Sequence, residues 1–408
     1  MRKFYSNFSK ANKLLEGNVS IYLDLIRGIS AILVLMEHLS SRLFVGYGNL
    51  ENDNLLVKLL YLLNLLGGPA VIIFFVLSGL FISRSVLKAL YENKWSWKSY
   101  LINRFARLSV VLIPALILTF ILDSIAANFF GYNSYDNAFS NLKDFVGNLF
   151  FLQNIFVGFY GSNAPLWSLS YEFWYYMLFP LMLHFFFYKQ GKIIKVIYLL
   201  AIFAIVSSIG TSMNSYFVIW LIGPCILLLP RINFLTKRFI PTLALILVFI
   251  AMPLHPLTLT GRLFTDKEAK DLMDLFGVSL FIGLAFGFLI YSLLHSLSNK
   301  IRYVNLKWLG WFSKLIASFS FSLYLIHYPI INTVYYWFSK NGFSGLQPNF
   351  ISVFFYIIII VLICFIAFLF SRITESQTHI IRRFLATKTS ALIISRRDKL
   401  LSKQNKAI

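Results

Sequence analysis

Two ionisable side chains, Arg27 and His38, lie in the apolar run 21–43. Such residues are costly inside a hydrophobic span, so their presence there indicates function. At 100° per residue, eleven positions return a helix to within about 20° of its starting direction and advance it about 16 Å. The two side chains therefore share one helix face at different depths. A structural alternative stays open, in which Arg27 pairs with Asp24 one turn earlier and His38 is hydrogen-bonded within a helix bundle.

A carboxylate, Glu172, lies about four residues inside the aromatic-rich run 166–188, at a depth that matches that of His38. An unpaired carboxylate there would be costly, so it needs a partner. A glutamate beside a histidine suits acid–base catalysis on a hydroxyl, because the imidazole accepts the proton and the carboxylate orients the imidazole. The alternative for Glu172 is a helix–helix hydrogen bond.

A second histidine, His327, falls near the middle of the run 316–338. Pro329 follows it and predicts a kink that opens a cavity. On its own, His327 would more often be a hydrogen-bonded core histidine.

Two arginines, Arg104 and Arg107, lie one turn apart where the apolar run 107–130 begins. Two guanidinium groups at this spacing can hold a phosphate between them. The alternative is that they anchor the helix at the cytoplasmic surface.

The composition identifies the elements that must position these residues. The chain has 408 residues, of which 58% are hydrophobic and 13% charged, and its mean hydropathy is +0.73. Apolar runs of membrane-spanning length recur throughout, which predicts an all-α polytopic membrane protein. We expect about ten transmembrane helices, near 21–43, 59–83, 107–130, 166–188, 193–210, 214–230, 239–256, 272–296, 316–338 and 350–372.

The distribution of charge predicts the orientation in the membrane. The net charge is +21, but most of the 37 lysines and arginines fall in the two tails and in alternate loops. This pattern follows the positive-inside rule and argues against nucleic-acid binding. It predicts a cytoplasmic N-terminal tail (1–20), a transmembrane domain (21–372) and a basic cytoplasmic C-terminal tail (373–408) that lies against anionic membrane lipid.

Other segments carry weaker expectations. Residues 145–160 are apolar but interrupted by polar residues, which favours an interfacial or re-entrant helix. The polar loop 257–274 is either a solvated loop or a lid. Small residues between Gly67 and Gly79 favour close helix packing. Cys225 and Cys364 both lie in apolar runs and predict neither a disulfide nor a metal site.

Five ordered blocks of the chain resemble the acyltransferase family 3 membrane proteins. They are Arg-x10-His (Arg27, His38), Phe-Phe-Val-Leu-Ser-Gly (Phe74 to Gly79), Arg-x-x-Arg (Arg104, Arg107), Leu-Trp-Ser-Leu-Ser-Tyr-Glu (Leu166 to Glu172) and Phe-Ser-Leu-Tyr-Leu-Ile-His-Tyr-Pro (Phe321 to Pro329). Some members carry a hydrolase-like domain after the last span, and we expect this chain to lack it.

The resemblance implies transfer of an acyl group, usually acetyl, from cytoplasmic acyl-coenzyme A to an exported or membrane-associated glycan. It implies that His38 is catalytic and that Glu172 and His327 belong to the core site. It assigns donor binding or positioning to Arg27, Arg104 and Arg107. It implies no metal or prosthetic group.

The sequence thus predicts an O-acetyltransferase of the bacterial inner membrane that acts on a surface polysaccharide (O-antigen, capsule or exopolysaccharide) or its lipid-linked precursor. One rival is a transporter or proton-coupled permease whose substrate path is formed by the buried Asp, Arg, Glu and His side chains. Another is a non-catalytic subunit that binds glycan. The chain lacks the internal repeats and paired broken helices that many transporters show.

Overall fold

The computed structural model describes residues 2–132, 138–237, 239–255, 272–296 and 307–387. Within these ranges the chain is helical, and its only strand-like features are two isolated bridges. Helices satisfy their own backbone hydrogen bonds, which is what an apolar surrounding requires. The predicted all-α class is confirmed. Residues 257–271 of the expected outer loop and the tail beyond residue 387 lie outside the described residues.

The helices are numbered here in chain order. They are α1 (Arg2–Leu15), α2 (Val19–Leu43), α3 (Leu55–Asn64), α4 (Gly67–Tyr91), α5 (Trp97–Phe130), α6 (Ala138–Leu149), α7 (Trp167–Phe187), α8 (Lys192–Ser208), α9 (Gly210–Leu228), α10 (Ile240–Ala251), α11 (Leu272–Ser296), α12 (Lys307–Ser318), α13 (Ser320–Lys340) and α14 (Phe350–Ile373).

The helices pack as two groups that meet at α2 and α4. Helix α2 packs against α4, α12 and α13, and α5 and α14 pack against α13. On the other side, α4 packs against α9, and α11 packs against both α9 and α10. Helix α1 lays its apolar face, including Phe8 and Leu15, on this second group. Of the predicted functional residues, Arg27, His38, Arg104, Arg107 and His327 lie on helices of the first group. Glu172 lies on α7, which packs against α4, α8 and α9.

Among the described residues, six helical segments are long and apolar enough to cross a membrane. The pair α12 and α13, bent by 49°, adds a seventh if it counts as one span. The other three predicted spans coincide with α7, α8 and α10. Helix α7 is rich in Tyr, Trp and Ser, which lower its hydropathy. Helix α10 has 12 residues, which cover about 18 Å of a bilayer core that is about 30 Å thick. The number ten therefore stays a prediction.

The second predicted span contains a short turn between α3 and α4, and the Glu37 side chain caps the helix that follows. The Glu37 carboxylate accepts a hydrogen bond of 2.6 Å from the backbone N–H of Gly68, in the first turn of α4. A carboxylate at a helix N-terminus satisfies free N–H groups and the positive end of the helix dipole. Glu37 is thus a helix cap, on a different face of α2 from His38.

The segment after α5 folds back into the protein. Helix α6 is followed by turns in which Phe151 and Gln153 are fully buried. The buried Asp123 accepts a hydrogen bond of 2.8 Å from the backbone N–H of Ser162. Asn163 donates to the carbonyl of Leu325 at 2.9 Å. These bonds fix the start of α7 against α5 and α13, and they support a structural role for Asp123.

Glycines allow α4 and α9 to cross in direct backbone contact. A Cβ atom added at Gly79 would overlap the carbonyl of Trp220, and one added at Gly223 would overlap the backbone of Leu80. The neighbouring atoms belong to the backbone, so no side-chain rotation can make room. The expectation that small residues in this span serve close packing is correct for Gly79.

We predict that Gly79→Ala or Gly223→Ala lowers the free energy of unfolding by about 1–3 kcal/mol, because each methyl group overpacks the crossing. Thermal unfolding of the purified protein in lipid nanodiscs measures the effect. Gly277→Ala on α11 is the matched control, since nothing lies within 4 Å of its added Cβ. Equal melting temperatures for all three variants would contradict the close crossing.

Candidate active site

A pocket of about 100 Å³ lies among α2, α4, α5, α7 and α13. Most of its wall is apolar, including Phe74, Phe75 and Phe81. The polar side chains in the wall are Arg27, Ser78, Arg107, Ser168, Glu172, Tyr176, Ser320 and Tyr324.

One end of the pocket is basic. Arg27 forms an ion pair of 3.1 Å with Asp24 and donates a longer hydrogen bond of 3.4 Å to the carbonyl of Ala317, at the end of α12. Arg107 lines the same pocket, and both Arg107 and Glu375 lie within electrostatic range of Arg27. The carboxylates of Asp24 and Glu375 lie near these two guanidinium groups, which are both in the pocket wall or at its edge and can bind a phosphate.

Arg104 takes a different direction from Arg107. Its guanidinium lies over the ring of Tyr100, 5.4 Å from the ring centre, and donates to the hydroxyl of Ser85 at 3.2 Å. It does not line the pocket. The two arginines therefore do not form the two-pronged clamp that their spacing predicted; Arg27 is the guanidinium that accompanies Arg107 in the pocket wall.

A hydrogen-bonded network surrounds Glu172 in the pocket. Its carboxylate accepts hydrogen bonds from the hydroxyl of Ser78, at 2.7 Å, and from the hydroxyl of Tyr176. The indole N–H of Trp220 donates to the Ser78 hydroxyl at 3.2 Å. The carboxylate is thus held by two hydroxyl donors on α4 and α7.

The expected contact between Glu172 and His38 is not formed in the part of the chain that the structure describes. Matching depth along two helices does not fix the direction in which each side chain points, and the Ser78 hydroxyl holds Glu172 toward α4. Glu172 keeps its place in the site as a pocket residue.

His38 faces a different partner, the second histidine. The rings of His38 and His327 are stacked with their centres 5.4 Å apart. The ring of Tyr328 meets His38 edge-on at 4.8 Å. The structure therefore joins the two histidines that the sequence placed on separate spans.

The protonation of His327 follows from its hydrogen bond. Its Nδ1 lies 2.9 Å from the backbone carbonyl of Leu323, which only accepts, so Nδ1 carries the proton. Its Nε2 is buried and has no hydrogen-bond partner among the described residues. His327 therefore presents an unused lone pair inside the protein, as a proton acceptor would.

Tyr324 stands between the histidines and the pocket. Its ring centre is 6.0 Å from that of His327, and its hydroxyl is hydrogen-bonded to Ser168 at 2.6 Å. Tyr324 and Ser168 line the pocket, whereas His38 and His327 do not. A molecule in the pocket would meet the histidines at Tyr324.

Several residues of the site were not predicted from the sequence. They are Ser78, Tyr176, Glu375 and the pair Ser168 and Tyr324. Ser78 lies among the small residues for which the sequence predicts close helix packing, and only the fold shows that its hydroxyl faces Glu172. Glu375 follows the last span and carries no local signal; only the fold brings it beside Ser322, which donates to it at 3.1 Å.

Comparisons with known proteins agree with the five blocks. A family model described as an acyltransferase domain matches residues 20–369. An uncharacterized protein of Haemophilus influenzae is 24% identical over 245 residues, which cover 57% of this chain and 89% of that protein. No solved structure shows a match. Because the family model covers most of the chain, including every residue of the pocket wall, the chain belongs to acyltransferase family 3 and is a multi-pass membrane acyltransferase.

Proposed function

We propose that this protein is an O-acetyltransferase of the bacterial inner membrane. It takes acetyl from acetyl-coenzyme A and transfers it to a hydroxyl of a surface polysaccharide or of its lipid-linked precursor. Acetyl-coenzyme A is a substrate, and the reaction calls for no metal or prosthetic group.

The pocket with two guanidinium groups at one end is the observation that carries this proposal. Coenzyme A is a long, flexible molecule with phosphates at one end and a thioester at the other. Arg27 and Arg107 suit the phosphates, and the apolar wall suits the arm that carries the thioester. The family establishes acyl transfer, and this charge distribution supports a coenzyme A donor.

The reacting group in the proposal is His38, with His327 beside it. In direct transfer, the imidazole takes the proton of the acceptor hydroxyl and the oxygen attacks the thioester carbonyl. The carbon–sulfur bond then breaks, and the sulfur takes the proton from the imidazolium. In the alternative, the imidazole itself accepts the acetyl group before the hydroxyl does. Both routes need the thioester at Tyr324, where the pocket meets the histidines.

The orientation in the proposal has ten spans and both termini in the cytoplasm. Arg27 then lies toward the cytoplasm, where acetyl-coenzyme A is found, and His38 toward the outside. The donor enters at the basic end of the pocket and the acceptor reaches the histidines from the other side.

Labelled acetyl transfer to glycan from a deletion strain tests the function. We expect His38→Ala to abolish transfer and His327→Gln to lower it about 100-fold, as the loss of acid–base catalysis does. His184→Gln is the matched control, because His184 Nδ1 also bonds the carbonyl four residues earlier, at 2.8 Å, but its ring packs against Trp95 and Tyr188 and not against His38. Undiminished transfer by His38→Ala would exclude the mechanism.

Donor binding tests the roles of the arginines. We expect Arg107→Gln and Arg27→Gln each to raise the KM for acetyl-coenzyme A about tenfold, the effect of losing one charged hydrogen bond. If Arg107 binds the 3′-phosphate, its variant should treat acetyl-dephospho-coenzyme A and acetyl-coenzyme A alike.

Arg104→Gln should change the donor KM less than Arg107→Gln, since Arg104 lies outside the pocket. Arg84→Gln is the control, because Arg84 pairs with Glu16 at 3.0 Å away from the pocket. An unchanged donor KM in both Arg27→Gln and Arg107→Gln would assign these residues to topology alone.

The orientation is tested with single cysteines in a Cys225→Ser, Cys364→Ser background. Asn93 and Asn341 are exposed and lie in the loops after α4 and α13. A membrane-impermeant maleimide should label Asn341→Cys in intact spheroplasts, and Asn93→Cys only after lysis. The reverse pattern would place the basic end of the pocket outside the cell.

A further inference from the structure

A cluster of aromatic and basic side chains lies beyond His38, on the side away from the pocket. Arg42, one turn after His38 on α2, donates to the hydroxyl of Tyr328 at 3.4 Å. Its guanidinium also lies over the ring of Tyr335, 5.0 Å from the ring centre. Because Tyr328 meets both Arg42 and His38, the cluster adjoins the proposed reacting group.

Two further tyrosines extend the cluster, one on α13 and one just after the end of α5. Tyr336 of α13 stacks on Tyr132, with ring centres 3.6 Å apart, and lies within electrostatic range of Arg42. We call Arg42, Tyr132, Tyr328, Tyr335 and Tyr336 the tyrosine–arginine cluster. All five side chains are partly exposed. Flat rings edged by hydroxyl groups are suited to packing against sugar rings and hydrogen-bonding their hydroxyls.

The charge of Arg42 has no carboxylate partner among the described residues. Arg27 is paired with Asp24 and Arg84 with Glu16, whereas the neighbours of Arg42 are phenols. A half-buried guanidinium without a counter-ion favours an anionic ligand. Arg27, which suits a phosphate of coenzyme A, lies about four turns before Arg42 on α2, so this second basic position suits a different molecule.

A shallow apolar groove of about 20 Å³ lies beside Arg42, between α2, α13 and α14. Leu39, Phe338 and Ile359 are among the residues that line it. The candidate span that begins with α14 is only 17% buried, the lowest share of the six, so this side of the molecule faces lipid. An anion site at the end of a lipid-facing groove matches an ionic headgroup joined to a hydrocarbon chain.

We propose that the tyrosine–arginine cluster is the acceptor subsite and that the acceptor is a glycan joined to a lipid through a diphosphate. Arg42 binds the diphosphate, the hydrocarbon chain lies in the lipid and starts along the shallow apolar groove, and the tyrosines hold the sugar whose hydroxyl reaches His38. Arg42 lies only about 6 Å along the helix axis from His38. The acetylated sugar is therefore close to the lipid end of the glycan. This inference rests on the proposed acetyltransferase function and names its acceptor.

The test uses glycan extracted from a strain that lacks the protein, as three preparations. One is untreated, one has lost its lipid diphosphate by mild acid hydrolysis, and one has had its carboxylates reduced to alcohols. With the wild-type protein in nanodiscs and labelled acetyl-coenzyme A, we expect mild acid to raise the acceptor KM about tenfold or more and carboxyl reduction to leave it unchanged.

The variants locate the contact. Arg42→Gln should raise the KM for the untreated acceptor about tenfold and respond no further to mild acid, while its KM for acetyl-coenzyme A stays at the wild-type value. Tyr328→Phe keeps the ring against His38 but loses the hydroxyl that holds Arg42, and should shift the acceptor KM in the same direction by less. Arg372→Gln is the matched control, because Arg372 also lies 5.0 Å from an aromatic ring centre, that of Phe368, at the opposite end of α14.

Three results would overturn the inference. They are an unchanged acceptor KM in both Arg42→Gln and Tyr328→Phe, a wild-type KM that mild acid does not change, and a rise in KM on carboxyl reduction alone, which would make an acidic sugar the ligand. A wild-type protein that transfers no acetyl to the untreated glycan would instead overturn the proposed function itself.

Discussion

The charge of a guanidinium among apolar helices must be balanced by a counter-charge and hydrogen-bond acceptors. The partners that do this for Arg27 hold one end of this molecule together. An arginine at the centre of a membrane helix costs about 3 kcal/mol on insertion scales. Here Asp24 supplies an ion pair, and the carbonyl of Ala317 supplies an acceptor at the point where α12 gives way to α13. Because that carbonyl is near the end of a helix, it lacks a partner within its own helix. Arg27 therefore ties the bend between α12 and α13 to α2, beside the mouth of the pocket.

The bend in turn positions His327. Helix α13 begins at Ser320, directly after the break, and carries Tyr324 and, about one turn later, His327 and Tyr328, whose rings meet His38 of α2. Tyr324 reaches the pocket, His327 stacks on His38, and Tyr328 reaches Arg42. One helix thus connects the basic pocket to the tyrosine–arginine cluster, with the imidazoles between them. In the proposed function this is the order of donor, reacting group and acceptor.

Features of the site that depend on one helix alone could be predicted from the sequence, whereas features that depend on how two helices face each other could not. The shared face of Arg27 and His38 depends only on helix periodicity, and both residues lie in the first helix group, one toward the pocket and one toward His327. The role of Glu172 depended on the rotation of α7 relative to α2, which no periodicity within one helix determines.

The spacing of Arg104 and Arg107 along the chain likewise could not predict in which direction the Arg104 side chain points. Residues three apart on a helix differ by about 60° in direction, which is enough to turn Arg107 into the pocket and leave Arg104 over Tyr100. The all-helical class needed only composition, because every backbone polar group in an apolar surrounding must be satisfied within its own helix. The number of membrane spans depends on the length of each helix, and α8 and α10 are shorter than the apolar runs predicted.

The most direct measurement is an electron cryo-microscopy structure of the protein in nanodiscs with a non-hydrolysable acetyl-coenzyme A analogue. The account predicts density for the phosphates at Arg27 and Arg107, density for the arm along the apolar wall of the pocket, and the thioester position beside Tyr324. Phosphate density at Arg42, with the pocket of Arg27 empty, would contradict it, because donor and acceptor would then have exchanged sides.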